Sequence, residues 1–72
     1  MKIQFINVGA NKMSWTANIP KLDHDSLYAE VKSSGALYSQ CIDFTYSEKD
    51  NVGDILVGQI REVGTFKVVQ EQ

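Results

Sequence analysis

A single cysteine, a single histidine, a single proline and a single tryptophan occur in this chain. One cysteine excludes an internal disulfide and suits a reducing compartment. Without a second histidine or cysteine, a zinc cage of three or four converging ligands is not expected. No glycine-rich phosphate loop is present. No apolar run approaches the roughly 18 residues of a membrane span. The opening Met-Lys-Ile-Gln-Phe-Ile-Asn has no long apolar stretch of the kind a signal peptide carries. The expected location is therefore the cytoplasm. Internal repeats and low-complexity segments are also missing. These absences favour a protein that works by surface contact, with no cofactor and no enzymatic activity expected.

What is present is an ordinary globular composition. Hydrophobic residues make up 43% of the chain and charged residues 22%, unlike a disordered segment. Seventy-two residues form one domain, residues 1–72, and a domain this small buries only about 60% of its unfolded surface. Stability must come from a compact core, from self-association or from a partner. The net charge is −2. The lysines at 2, 12, 21, 32, 49 and 67 and Arg61 are scattered, whereas a phosphate-tracking groove needs concentrated positive charge. Nucleic acid is thus an unlikely partner by composition.

The apolar period changes along the chain. In residues 2–8, Ile3 and Phe5 point one way and Ile6 and Val8 the other, which suggests a strand covered on both faces or one that continues into a partner. Gly9-Ala10-Asn11-Lys12 reads as a turn. Met13, Trp15, Ala17 and Ile19 then alternate with Ser14, Thr16 and Asn18, giving a half-buried strand over 13–19 that closes a hairpin. After Pro20, Asp23 is placed at a helix N-cap with Asp25 in the first turn. Leu22 and Leu27 have the spacing of a hydrophobic staple, and Leu27 and Val31 stack one turn apart. Gly35 is placed just past the helix end, so the helix covers 24–34. Such a short helix must lie on a sheet to persist. Residues 37–46 read as a third strand and 54–62 as a fourth. Val63-Gly64 reads as a tight turn and 65–70 as a fifth strand. The first and fifth strands are expected at the sheet edges.

The result is an α+β domain in two layers: a mostly antiparallel five-stranded sheet with one helix, in the order β-β-α-β-β-β. That order differs from the RNA-recognition and double-stranded-RNA-binding folds, and from the oligonucleotide-binding barrel.

Four groups of residues could carry chemistry. Asp23-His24-Asp25 is adjacent in sequence, but successive residues at a helix start point in different directions; a cap with an exposed His24 explains them better than a metal. The segment 48–54 has alternating acids before Gly53, yet Val52 stands where calcium needs an oxygen, and Gln59 replaces the closing bidentate glutamate. Cys41 has no neighbour that lowers its pKa, so it reads as a small buried hydrophobe. Asp43 and Asp54 could pair only if adjacent strands aligned them.

The aromatic residues are the better candidates. Phe5, Trp15, Phe44 and Phe66 fit the inward faces. Tyr28, Tyr38 and Tyr46 are harder to bury together, and tyrosine suits half-wet interfaces. Tyr38, Asp43, Tyr46, Glu48 and Asp50 are therefore the expected partner-binding residues. Alternation puts Asp43 on the face opposite Tyr38 and Tyr46. The expected function is non-enzymatic binding and modulation of a protein partner, including a nucleic-acid-handling complex. A phage- or mobile-element-encoded inhibitor of host machinery, of the anti-defence or anti-CRISPR type, fits the size and the missing chemistry. A homodimer is expected through strand 1 or the face bearing Ile6 and Val8. The alternatives are a nucleic-acid-binding module that stacks bases on aromatic rings and a self-assembling structural protein joined through sheet edges.

Overall fold

The computed structural model describes residues 1–37, 41–58 and 61–69. Its elements run β1 (Lys2–Val8), β2 (Met13–Asn18), α1 (His24–Ser34), β3 (Ile42–Phe44), β4 (Val52–Val57) and β5 (Arg61–Val69). The strands form one sheet in the order β2-β1-β5-β4-β3, and every neighbouring pair is antiparallel. One helix and one sheet make the α+β class that the apolar pattern implied.

β1 and β5 are central strands, not edges. Each is hydrogen-bonded on both sides: β1 between β2 and β5, and β5 between β1 and β4. A homodimer through the edge of strand 1 is thereby excluded, because that strand has no open edge. The edges are β2 and β3.

Simple alternation fails at the end of β1. Asn7 has φ 51°, and the pairing steps from Phe5↔Trp15 to Val8↔Met13. β1 thus spends one more residue than β2 between these pairs, which is a β-bulge. The Asn7 N–H donates to Ser14 Oγ at 3.1 Å. The extra residue rotates Val8 onto the face of Ile3 and Phe5, where it is fully buried. Ile6 remains half-buried on the other face, so Ile6 and Val8 do not share a surface.

The β4–β5 hairpin is also shifted from the sequence reading. Val63-Gly64 lies inside β5, and Gly58, at φ 66°, begins the connection from β4. Gly64 serves close approach: a Cβ there would sit 2.9 Å from Val8 Cα. The pairing steps from Ile55↔Gly64 to Leu56↔Glu62, so Val63 forms a second bulge. β3 spans only Ile42–Phe44, shorter than the expected 37–46. Leu37 is buried outside the strands, and residues 38–40 lie outside those described. Ser47 and Val52 form an isolated bridge, which leaves 48–51 as the turn.

The helix forms where its caps place it. Asp23 is the N-cap, and its Oδ1 accepts from the Ser26 N–H at 2.8 Å. Gly35, at φ 76°, is the C-cap, and its N–H bonds to the Lys32 carbonyl. The Ser26 backbone bond, then the Ser26 hydroxyl and the Lys21 ammonium, hold the Asp23 carboxyl below its ordinary value of 3.8. Its stabilising effect is complete above that ordinary value and is lost as pH falls through the lowered one. Asp23→Ala is expected to lower Tm by a few degrees at neutral pH. The difference from wild type should shrink in strong acid. A Tm gap that persists unchanged there would show that the cap does not act through its charge.

The core lies between the sheet and α1. Ile3, Phe5, Val8, Ile42, Ile55 and Phe66 meet Leu27 and Val31 of the helix, with Ile19, Ala36 and Leu37 closing the ends. Trp15 stacks on Phe5 at 4.6 Å between centroids, and its Nε1–H donates to Glu30 Oε1 at 3.1 Å. This bond ties β2 to the helix. No described residue in the buried class is polar or charged. The opposite face of the sheet carries Gln4, Thr16, Asp43, Thr45 and Lys67 toward solvent.

Candidate functional site

The helix start and the β3–β4 hairpin meet around an aromatic cluster. Asp23 turns the chain into α1, so the next side chain, His24, faces the edge of β3. Its Nε2 lies 2.9 Å from the Ile42 carbonyl oxygen. A carbonyl only accepts, so Nε2 carries the proton and donates. The ring meets Phe44 edge-on at 5.4 Å and stacks on Tyr28 at 5.8 Å. Phe44 in turn meets Phe66 edge-on at 6.1 Å.

Tyr46 completes the cluster. Gly53 is the reason it can. Gly53 pairs with Phe66, and the rings of Phe66 and Tyr46 lie parallel, 6.1 Å apart. A Cβ on Gly53 would overlap the Phe66 ring and the Thr45 carbonyl. Glycine lets the rings lie over the strand backbone. The Tyr46 hydroxyl donates to Asn51 Oδ1 at 3.0 Å, which fixes the ring against the turn. Tyr46 is still 36% exposed.

Between helix and hairpin lies an open hollow of about 180 Å³, walled by Asp23, His24, Leu27, Phe44, Tyr46 and Phe66. Pockets for small ligands run about 300–1,000 Å³, so this hollow suits one inserted side chain. Its surroundings are acidic. Asp23 and Asp25 flank the helix start, and Glu48 and Asp50 are exposed in the turn after Tyr46. Lys21 and Lys49 offset them in part, Lys21 by an ion pair with Asp23 at 3.3 Å.

The expected partner-binding residues are thus divided. Tyr46, Glu48 and Asp50 belong to one hairpin end. Asp43 pairs with Leu56 on the far face of the sheet and does not join them. Tyr38 lies outside the described residues. Asp43 and Asp54 share the far face but are not directly opposite, since Asp54 stands beside Thr45: the Thr45 N–H donates to the Asp54 carbonyl at 3.0 Å.

Cys41 is exposed, contrary to its expected burial. It precedes the short β3, and its carbonyl accepts from the Gly58 N–H at 3.0 Å. The residue that enters the core there is Ile42. His24 is 52% exposed, as expected of a helix start, yet its ring is docked on β3. The sequence singles out the Asp23-His24-Asp25 triplet but not this contact, which exists only because the helix crosses beside β3. Among the described residues, no three His, Cys, Asp or Glu side chains converge as a metal site. No described helix is long and apolar enough to cross a membrane. No protein-family model matches the chain, and neither a curated protein nor a solved structure is significantly similar to it.

Proposed function

We propose that this chain is a non-enzymatic interaction module that binds a basic surface of a partner protein and modulates that partner. The observation that carries the reading is the partly exposed Tyr46, stacked on Phe66 beside a hollow that Asp23 borders, with Glu48 and Asp50 exposed in the following turn. A lysine or arginine side chain fits such a place. Its apolar stem lies against Phe44 and Tyr46, and its charged head meets Asp23. Excess negative charge around the ring opposes a phosphate backbone and favours a basic protein surface. Inhibition of a nucleic-acid-handling complex in the cytoplasm is the finer form of this proposal. A phage- or mobile-element-encoded inhibitor would act by occupying the basic groove such machinery uses. A rigid two-layer domain supports the role, since little ordering entropy is lost on binding.

The test begins with capture on immobilised protein from the cytosol of the cells concerned. Calorimetry with the identified partner follows. Tyr46→Ala is expected to cost at least about 1–2 kcal/mol of affinity. Reversing Glu48 and Asp50 together to lysine should mainly slow association, and more so at low salt. Asp43→Ala, on the far face, should bind as wild type. Circular dichroism first establishes that each variant is folded. Equal binding by all of them would move the contact surface elsewhere.

A further inference from the structure

The two edges of the sheet are treated differently. β3 is three residues long, and His24 bonds to its outward Ile42 carbonyl. Short length and a covering group are standard protections against pairing with another chain. β2 has six residues, Met-Ser-Trp-Thr-Ala-Asn, with no charge and no proline. The Met1–Ile19 pair exchanges backbone bonds of 3.0 and 2.8 Å. Alternation from that pair turns the N–H and C=O of Thr16 and Asn18 outward, and those of Ser14 likewise. Among the described residues, no strand or helix covers this edge.

Beside the same edge lies a groove of about 470 Å³ between β2 and α1, bordered by Ile19, Pro20, Asp25, Ala29 and Glu30. Its lining mixes apolar Ile19, Pro20 and Ala29 with polar Asn18, Ser26 and Ser33 and two acids, Asp25 and Glu30, of which Glu30 also accepts from Trp15. At the other end of β2, Met13 is 36% exposed on the helix side of the sheet, next to exposed Lys12. Met13 matches the apolar Ile19, Pro20 and Ala29 of that groove, and the Lys12 cation matches its acidic Asp25.

Two copies of the chain can satisfy both features at once. We propose that β2 pairs antiparallel with β2 of a second copy, in the register centred on Thr16. Thr16 then faces its own copy, and Ser14 faces Asn18. On the helix side, bulky Trp15 faces small Ala17. Met13 falls opposite Ile19 and Lys12 opposite Pro20, so each copy sends Met13 and Lys12 to the groove of the other. The unprotected edge, the size match and the charge match all follow from this one register. The sheet becomes continuous through the pair, and the aromatic hollow, on the other side of the helix start, stays open in both copies.

Sedimentation from low to high micromolar concentration tests the assembly, and an engineered thiol tests the register. Wild type is expected to shift from monomer to dimer as concentration rises. Thr16→Lys places like charges face to face across the axis but, at an exposed position outside the core, leaves the monomer fold intact; it should stay monomeric with an unchanged circular dichroism spectrum. In a Cys41→Ser background with oxidised glutathione as oxidant, Thr16→Cys should couple to its copy. Facing residues of a hydrogen-bonded pair are about 5.5 Å apart, within disulfide reach. Asn18→Cys, which faces Ser14, should not couple. A wild type that is monomeric throughout overturns the proposal. So does a dimer that survives Thr16→Lys, or equal coupling of the two thiol variants.

Discussion

Phe66→Ala is expected to cost about 3–5 kcal/mol. Phe66 has no exposed surface. It pairs with Phe5 on one side and Gly53 on the other, and its ring contacts both Phe44 and Tyr46. Truncation therefore opens a cavity where three strands meet, and Phe44 and Tyr46 lose the ring they lean on. At about 0.05–0.15 kcal/mol per residue, a chain of 72 residues has about 4–11 kcal/mol in total. The substitution thus removes between about a quarter and all of the margin, and unfolds the protein in buffer only if the total lies at the low end of that range. Urea unfolding followed by Trp15 fluorescence measures it. A midpoint shift equivalent to less than about 1 kcal/mol would show that the site refills, an outcome at odds with close packing among rigid rings. Tyr46→Ala, at a ring half in water, should cost far less stability, and the two variants together separate folding from binding.

The parts of the fold set by local chemistry were legible before the structure. Asp23, Gly35 and the Leu27–Val31 stack place α1 at 24–34, because caps and helical period act within a few residues. The first hairpin follows from the 9–12 turn and the alternation after it. What was not legible depends on neighbours distant in sequence. Val8 reads as outward because alternation cannot see the bulge at Asn7. Gly64 reads as a turn residue because glycine looks the same whether it supplies positive φ or makes room; here it makes room for Val8. The central position of β1 and β5 arises from pairing the ends of the chain. Ile3 and Ile6 on opposite faces hinted at it, since a strand with apolar residues on both sides is more at home inside a sheet than at its edge.

The candidate site divides in the same way. Tyr46, Glu48 and Asp50 are near one another in sequence, and a short hairpin keeps them near in space. His24 is 18 residues from Ile42, and nothing local indicates that its ring will close one side of the hollow. Asp43 is near Tyr46 in sequence but, by alternation, on the far side of the sheet. Proximity in sequence thus gives neighbours in a turn, whereas in a strand it gives a face only at every second residue.

Gly53→Ala is expected to destabilise the domain by about 3 kcal/mol, the upper end of the cost of overpacking. Gly53 does not have a positive φ, so the cost is steric alone. The added methyl would overlap the Phe66 ring and the Thr45 carbonyl. One obstacle is backbone and the other a fully buried ring, so neither can yield without moving β3 or the core. Gly35→Ala is the informative control. Nothing lies within 4 Å of a Cβ there, and the cost comes only from φ 76° at the helix end, about 1–2 kcal/mol. Thermal unfolding should therefore rank wild type above Gly35→Ala, and Gly35→Ala above Gly53→Ala. Binding should separate them further. If Phe66 shifts to accept the methyl, Tyr46 loses its stacked position and the hollow changes shape, so folded Gly53→Ala protein should bind the partner more weakly. Gly35→Ala, at the opposite end of the helix, should bind as wild type once its folded fraction is taken into account. A Gly53→Ala protein with wild-type Tm and wild-type affinity would mean that the glycine does not hold the two rings together, and the account of the site would fail with it.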